Sequence, residues 1–262
     1  MNYTSFLRKV RITGTLFFET AFHIGSGKEG ELATDMGVMR DHEGFPVLPG
    51  STLKGCFRAT VERLAQYLGR SACMLDTALS GKTCVGDQSF FRKKSREFND
   101  LKTEKEKLDW VEKHTCDVCK LFGSPVNASR IFFSDGRLMS WSGTYQVRDG
   151  VAIDRDSGTA VEGLKYDFEV APRDTAFEIF IDLENPEDEE LSLVAAGIAE
   201  WQNGFRLGGF TSRGLGRVVL TNTKTEQVDY SVPEQLAAYL LKRQLQPADS
   251  LLSDALTRAL QH

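Results

Sequence analysis

The sequence predicts an α+β fold of the ferredoxin-like type, a single domain over residues 1–262 that carries insertions. Residues 9–18 and 168–183 alternate between apolar and polar side chains, which is typical of half-buried strands. Residues 53–68 and 191–201 instead repeat their apolar side chains every three or four positions, as amphipathic helices do. With a strand at 130–138 and another at 216–220, the order is strand, helix, strand, strand, helix, strand.

Composition limits the function classes. The chain has 262 residues, of which 41% are hydrophobic and 26% charged, as expected for a soluble globular protein with a real core. No apolar run is long enough to cross a bilayer, so we expect a cytoplasmic protein with no membrane partner. The net charge of −5 argues against a free-standing nucleic-acid binder. Acidic residues gather at 184–190, however, which allows a basic groove elsewhere.

A glycine-rich segment, FHIGSGKEG at residues 22–30, follows the first strand. Its GSGK is not a P-loop, because Phe22 stands where the first glycine is needed and Glu29 where a magnesium-binding hydroxyl is needed. His23 is placed to contact a phosphate or a ribose, or it is simply structural. A short hairpin is predicted next, with Asp35 at its mouth and a turn that begins at Asp41.

The first helix is predicted to follow the turn at Pro49 and Gly50, with Ser51 as its N-cap. Lys54 and Arg58 lie in its first two turns, beside unpaired backbone N–H groups and the positive end of the helix dipole. This arrangement suits a phosphate, although an ordinary capped surface helix has the same pattern.

Four cysteines and a histidine bracket an irregular segment that follows this helix. Cys116 and Cys119 form a CxxC knuckle, and thiolates at such spacing can hold a tetrahedral Zn²⁺. Cys84 and His114 complete the predicted ligand set, with Cys73 as a further candidate. A redox CxxC is the alternative, but no thioredoxin-like βαβ unit surrounds it. The basic run at 92–107 predicts a solvated helical face, or else a secondary patch that faces a nucleic acid.

Three further segments complete the prediction. Glycine and aspartate punctuate residues 141–168, which predicts a hairpin that projects from the core, or a mobile surface hairpin. Residues 205–218 are rich in glycine, which allows the backbone to approach a phosphate closely, with Arg213 supplying charge. The tail from residue 233 predicts one or two peripheral helices.

Five segments in order resemble a known family. LPGSTLKGCFR at residues 48–58 resembles the signature of the RAMP superfamily of CRISPR-associated proteins, in particular the repeated backbone subunit of type III RNA-guided effector complexes. FHIGSG, CDVCKLFGS, VAIDRDSGTA and GGFTSRGLGR match the same pattern. The resemblance implies a modified RRM-like core with a zinc-bearing insertion at about residues 70–125 and a thumb hairpin at about 141–168.

The resemblance also implies partners and roles. The partners are a CRISPR guide RNA, a target RNA and other type III effector subunits. Asp35 matches the aspartate required for target RNA cleavage, with Mg²⁺ or Mn²⁺ as catalytic cofactor and Zn²⁺ as structural cofactor. Residues expected to bind RNA are His23, Ser51, Lys54, Arg58, Arg148, Ile153, Arg155, Gly209 and Arg213. A non-catalytic guide-binding scaffold is the alternative, and a guide-processing ribonuclease of the superfamily is a third.

Overall fold

A computed structural model describes residues 5–29, 36–73, 84 and 88–261. Its strands are β1 (Arg8–Phe18), β2 (Gly25–Glu29), β3 (Met36–Val38), β4 (Ile131–Phe133), β5 (Arg137–Ser140), β6 (Gln146–Ile153), β7 (Ala160–Val170), β8 (Ala176–Glu184), β9 (Phe205–Arg206), β10 (Arg217–Asp229) and β11 (Gln246–Pro247). Its helices are α1 (Gly50–Leu64), α2 (Gln88–Asn99), α3 (Glu104–His114), α4 (Asp117–Phe122), α5 (Asp188–Asn203), α6 (Pro233–Lys242) and α7 (Leu251–Leu260).

The main sheet has the strand order β11-β10-β1-β8-β4, and each neighbouring pair is antiparallel. β5 continues the pairing of β4 along β8, and β9 pairs with β10. Along the chain, α1 lies between β1 and β4, and α5 lies between β8 and β10. The predicted mixed α/β architecture and its order of elements are therefore confirmed. The last core strand is longer than the predicted 216–220, because β10 pairs with β1 along nearly its whole length.

Helices α1 and α5 supply the centre of the core. Phe57 of α1 meets the ring of Trp201 of α5 edge-on, with 4.9 Å between ring centroids. A Cβ at Gly197 would lie 2.5 Å from Phe57 Cζ, so a side chain there would force the helices apart. Both aromatic side chains are fully buried, and burial of a side chain of this kind contributes about 1.5–3 kcal/mol.

The start of α1 differs from the prediction. Pro49 is the N-cap and no side chain within the helix caps it, so the prediction of Ser51 as N-cap is wrong. Asp135 Oδ1, in the turn between β4 and β5, accepts the Gly50 N–H at 2.6 Å. A carboxylate 85 residues further along the chain thus satisfies the helix end, which leaves Ser51 exposed.

A second sheet, in the order β2-β3-β7-β6, stands beside the main one. β6 and β7 form an antiparallel hairpin that covers most of the predicted excursion at 141–168. β7 continues to Val170 and β8 begins at Ala176, so the single strand predicted at 168–183 is divided between the two sheets. Exposed apolar side chains line this hairpin: Val147, Val151, Ile153 and Leu164. Asp41 forms the predicted turn before α1, since its Oδ1 accepts the N–H groups of Glu43 and Phe45.

The C-terminal helices lie at the periphery, as predicted. α7 buries Leu252 and Ala255 against α5, and Arg258 pairs with Asp188 at 3.0 Å. α6 instead leaves Leu240 and Leu241 exposed. Among the helices described, none combines the length and the apolar character needed to span a bilayer.

Candidate functional site

Two glycine-rich segments that lie far apart in the sequence meet at His23. The imidazole is buried, and its Nδ1 lies 2.7 Å from the carbonyl oxygen of Glu169. The carbonyl oxygen of His23 accepts the N–H of Gly209 at 2.7 Å. A Cβ at Gly208, where φ is +94°, would collide with that same oxygen. Glycine is therefore required for the contact between the two segments.

An aromatic and cationic surface borders this contact. The Phe210 ring stacks on Phe168 at 4.2 Å and meets the His23 ring edge-on at 5.4 Å. Arg213 is exposed, donates to the Tyr166 hydroxyl and lies 5.7 Å from the Phe210 ring centroid. Exposed guanidinium groups beside aromatic rings suit phosphates and stacked bases.

Asp35, the predicted catalytic residue, lies outside the described residues. Its neighbour Met36 pairs with Glu29 and with Phe168, and packs against the same aromatic cluster. The prediction for Asp35 therefore stays a prediction.

A buried polar network holds β3, and the sequence patterns did not reveal it. The Glu169 carboxylate accepts the Val38 N–H at 3.2 Å and forms an ion pair with Arg40. The Arg40 guanidinium lies 3.8 Å above the centroid of the Tyr145 ring. Burial raises the pKa of Tyr145 to about 12, so its hydroxyl keeps its proton and donates to the Gly44 carbonyl. These groups come from three distant segments, so no local pattern could have found them.

Lys54 and Arg58 face the cysteine-bearing segment. Lys54 Nζ donates to Ser129 Oγ at 2.7 Å, and burial, followed by the charge of Arg58, lowers the pKa of Lys54. Arg58 donates to Glu62 at 2.8 Å and to Cys119 Sγ at 3.2 Å. Their predicted role in RNA binding stays a prediction, and each of their side-chain nitrogens already has a hydrogen-bond partner within the protein.

Four cysteines form a compact group. The sulfurs of Cys73, Cys84, Cys116 and Cys119 all lie within 4.8 Å of one another. The sulfurs of Cys73 and Cys119 are 3.6 Å apart, close to the roughly 3.8 Å that a tetrahedral Zn–S bond of about 2.3 Å requires. All four are free thiols, at separations well beyond the roughly 2.0 Å of a disulfide. The donor set therefore fits a metal such as zinc.

Backbone and side-chain donors surround these sulfurs. Cys116 Sγ accepts the N–H of Cys119 at 3.4 Å, and Cys84 Sγ accepts the N–H of Cys116 at 3.3 Å. Hydrogen bonds within the group, first from Cys116, lower the pKa values of Cys73 and Cys84 and raise that of Cys119, so the four thiols do not ionise alike. Thiolates are the form that binds metal.

The group of sulfurs differs from the predicted ligand set at one position. It includes Cys73, which had been only a further candidate, and it does not include His114. The His114 Nδ1–H donates to the Trp110 carbonyl at 2.9 Å, and its ring stacks on Trp110 at 4.4 Å. His114 ends α3, and these contacts within α3 hold its ring against that helix. Sequence spacing made both residues candidates, and the structure brings Cys73, but not His114, to the other three sulfurs.

The remaining predicted residues lie on the hairpin. Arg148, Ile153 and Arg155 are exposed. Asp154 shapes the tip, since its Oδ1 accepts the N–H groups of Asp156 and Ser157 at 2.9 and 2.8 Å. The tip is therefore an ordered turn that presents its neighbouring side chains to solvent.

Comparisons with known proteins cover most of the chain. The family model described as "RAMP superfamily" matches residues 15–219. The chain is also 26% identical over 231 residues to the "CRISPR system Cms endoribonuclease Csm3" of Methanocaldococcus jannaschii. That similarity covers 82% of this chain and 80% of the relative.

Proposed function

The chain belongs to the RAMP superfamily, and from this premise we propose that it is a guide-RNA-binding backbone subunit of a type III CRISPR effector complex. In this proposal it works in the cytoplasm beside other effector subunits and cleaves target RNA complementary to the guide. The observation that carries the proposal is the similarity, over 82% of the chain, to a relative named as a CRISPR endoribonuclease.

The contact of the two glycine-rich segments supports an RNA surface. Protein contacts to RNA combine phosphate recognition with stacking on aromatic or guanidinium planes. Arg213, Tyr166 and Phe210 offer both kinds of contact on one exposed face. Gly208 and Gly209 let the backbone of the second glycine-rich segment lie against His23, because a Cβ at either position would meet the His23 carbonyl oxygen or ring.

Asp35 is the proposed catalytic residue. In the proposed reaction the ribose 2′-oxygen attacks the adjacent phosphorus and the bond to the 5′-oxygen breaks, leaving a 2′,3′-cyclic phosphate and a 5′-hydroxyl. The Asp35 carboxylate either takes the 2′-hydroxyl proton or binds Mg²⁺ or Mn²⁺ near the scissile phosphate. A carboxylate beside a phosphate needs a cation or a proton to offset the repulsion between like charges, which is why we include a divalent metal.

We further propose that Zn²⁺ binds the four cysteines and has a structural role. The metal would hold Cys73 and Cys84 against the knuckle of Cys116 and Cys119. Arg58 would then connect the site to α1, which carries the LPGSTLKG segment. A donor that hydrogen-bonds to a ligating sulfur orients that ligand and offsets its charge.

The proposal is tested on the complex purified with its guide RNA. We expect an end-labelled complementary RNA to be bound and cut in Mg²⁺, with cutting abolished by EDTA and restored by Mn²⁺. Cleavage that is unchanged in EDTA would contradict the metal requirement. Binding of guide and target without cleavage in any of these metals would favour the non-catalytic scaffold.

A further inference from the structure

A cleft on the helical side of the molecule contains three arginines. It has a volume of about 560 Å³ and lies between α1, the end of α5 and the segment that leads into the second glycine-rich loop. Its polar lining consists mainly of Thr60, Arg63, Glu200, Arg206, Thr211 and Arg217. The cleft is thus predominantly cationic on a chain whose net charge is −5.

The arrangement of these arginines costs stability. Arg206 of β9 is directly opposite Arg217 of β10, and like charges at directly opposed positions are destabilising. Arg217 is offset by Glu19, with 2.6 Å between Nε and Oε2. Within the described part of the chain, Arg63 and Arg206 have neither an ion pair nor a side-chain hydrogen bond, and both are exposed. An anion in the cleft would offset this concentration of positive charge.

The other groups in the cleft are compatible with an anion. Cys56 lines the cleft, and burial raises the pKa of its thiol to about 11, so it carries no negative charge at neutral pH. Among the described residues that line the cleft, Glu200 is the one carboxylate. Gly204 has φ of +99°, and a Cβ there would lie 3.2 Å from Arg217 Nη2, so glycine keeps space for that guanidinium.

The cleft is continuous with the aromatic and cationic surface. Thr211 and Arg213 belong to one short 3-10 turn, Thr211–Arg213. Thr211 lines the cleft, whereas Arg213 binds the Tyr166 hydroxyl. One turn of the second glycine-rich loop thus contributes to both surfaces.

We propose that the Arg63–Arg206–Arg217 cleft binds a backbone phosphate of single-stranded RNA, as an additional subsite beyond the Arg213 surface. This inference rests on the proposed RNA-binding function. The ligand is a phosphodiester, because three guanidinium groups recognise an anion and the position beside the loop extends a continuous path along one strand.

The test compares two double variants of the full-length protein. Arg63→Gln/Arg206→Gln removes the two unpaired charges, and Lys242→Gln/Arg243→Gln removes two exposed charges at the end of α6. Both variants change the net charge by the same amount. The dissociation constant of a fluorescent single-stranded RNA is measured against KCl concentration.

The expected result is specific to the cleft variant. Each lost phosphate contact lowers the slope of log K against log[KCl] by about 0.7. Arg63→Gln/Arg206→Gln should show this decrease and weaker binding, while its thermal midpoint stays level or rises, because like-charge repulsion is relieved. The control variant should keep the wild-type slope.

Other outcomes separate the possibilities. Equal affinity and slope in the two double variants would overturn the subsite and leave the proposed function standing. Wild-type protein and complex that bind no RNA would instead contradict the proposed function. Inorganic phosphate is titrated alone in a second arm, by calorimetry. Loss of phosphate binding in the cleft variant, with RNA binding unchanged, would assign the cleft to free phosphate and overturn the RNA proposal.

Discussion

The cysteine-bearing segment and the β6–β7 hairpin are both insertions into the α+β core, but they place their side chains in opposite environments. The cysteine-bearing segment buries polar side chains: Cys73 and Cys119 are buried, and Arg58 of α1 donates to Cys119 Sγ. The hairpin turns apolar groups outward, with Val147 and Ile153 each 56% exposed. A buried set of thiols is stabilised most by binding a metal, and an exposed apolar pair of strands is stabilised most by contact with a partner. We therefore infer that each region is completed by something outside the chain, by a cation in one case and by RNA or a second subunit in the other.

The largest effect on stability is expected at the cysteine group. Cys119→Ser should abolish stoichiometric zinc binding and destabilise the fold by about 4 kcal/mol or more, as loss of a structural metal does. Cys56→Ser is the matched control, because Cys56 lies outside the group of four sulfurs. Metal content and thermal unfolding measure both. Cys119→Ser protein with one equivalent of zinc and an unchanged midpoint would remove the metal site from the account.

Arg58 offers a finer test of the same region. Arg58→Met removes the donor to Cys119 Sγ and should weaken metal binding by about 10–100-fold, measured by competition with a chromophoric chelator. The slope of RNA binding against salt should stay at its wild-type value, because the guanidinium faces the cysteines. If Arg58 instead contacts phosphate, the slope falls by about 0.7 and metal affinity is unchanged.

An ion pair in the central sheet provides a reference against which the stability effects in both regions are compared. Asp182 in β8 accepts two hydrogen bonds from Arg11 in β1, at 2.7 and 2.8 Å. Burial alone would raise the pKa of Asp182, but the hydrogen bonds from Arg11 and Lys9 lower it below its usual 3.8. Its contribution to stability is therefore present above that value and lost as pH falls through the lowered folded-state pKa.

Asp182→Asn should accordingly lower the free energy of unfolding by about 1.5–3 kcal/mol at pH 7. The difference from wild type should shrink as the pH is taken below 3.8, in denaturant titrations at each pH. A difference that is constant with pH would show that the carboxylate charge contributes nothing.

The smallest effect on stability is expected on the hairpin. Ile153→Ser should change the free energy of unfolding by no more than about 0.5 kcal/mol, because the side chain is already exposed. The same substitution should weaken assembly on guide RNA, measured as the fraction of chain that co-elutes with the complex. A marked loss of stability with normal assembly would mean that Ile153 packs within the chain, and the contrast between the two regions would fail.

Local patterns in the sequence predicted the structural features that are determined by residues close together in the chain. Alternation over residues 9–18 predicted a half-buried strand, and Val10, Ile12 and Leu16 lie on the buried face of β1. Spacing identified the cysteines and ranked His114 above Cys73, whereas the structure places Cys73 beside the other three sulfurs. Nearness in sequence does not determine which side chain turns inward. The cap of α1 by Asp135 and the contact of Arg58 with Cys119 join residues that are 85 and 61 positions apart. Such long-range contacts have no periodic signal, so the sequence could not reveal them.

The most direct test of the proposed function compares Asp35→Ala with Asp41→Ala in complexes loaded with guide RNA. Asp41 shapes the neighbouring turn, so its variant controls for local disturbance. Cleavage of an end-labelled complementary RNA is followed in Mg²⁺, with target binding measured in parallel. We predict regularly spaced products from wild type and Asp41→Ala, and none from Asp35→Ala despite normal binding. Cleavage by Asp35→Ala at the wild-type rate would contradict the assignment of this residue as catalytic.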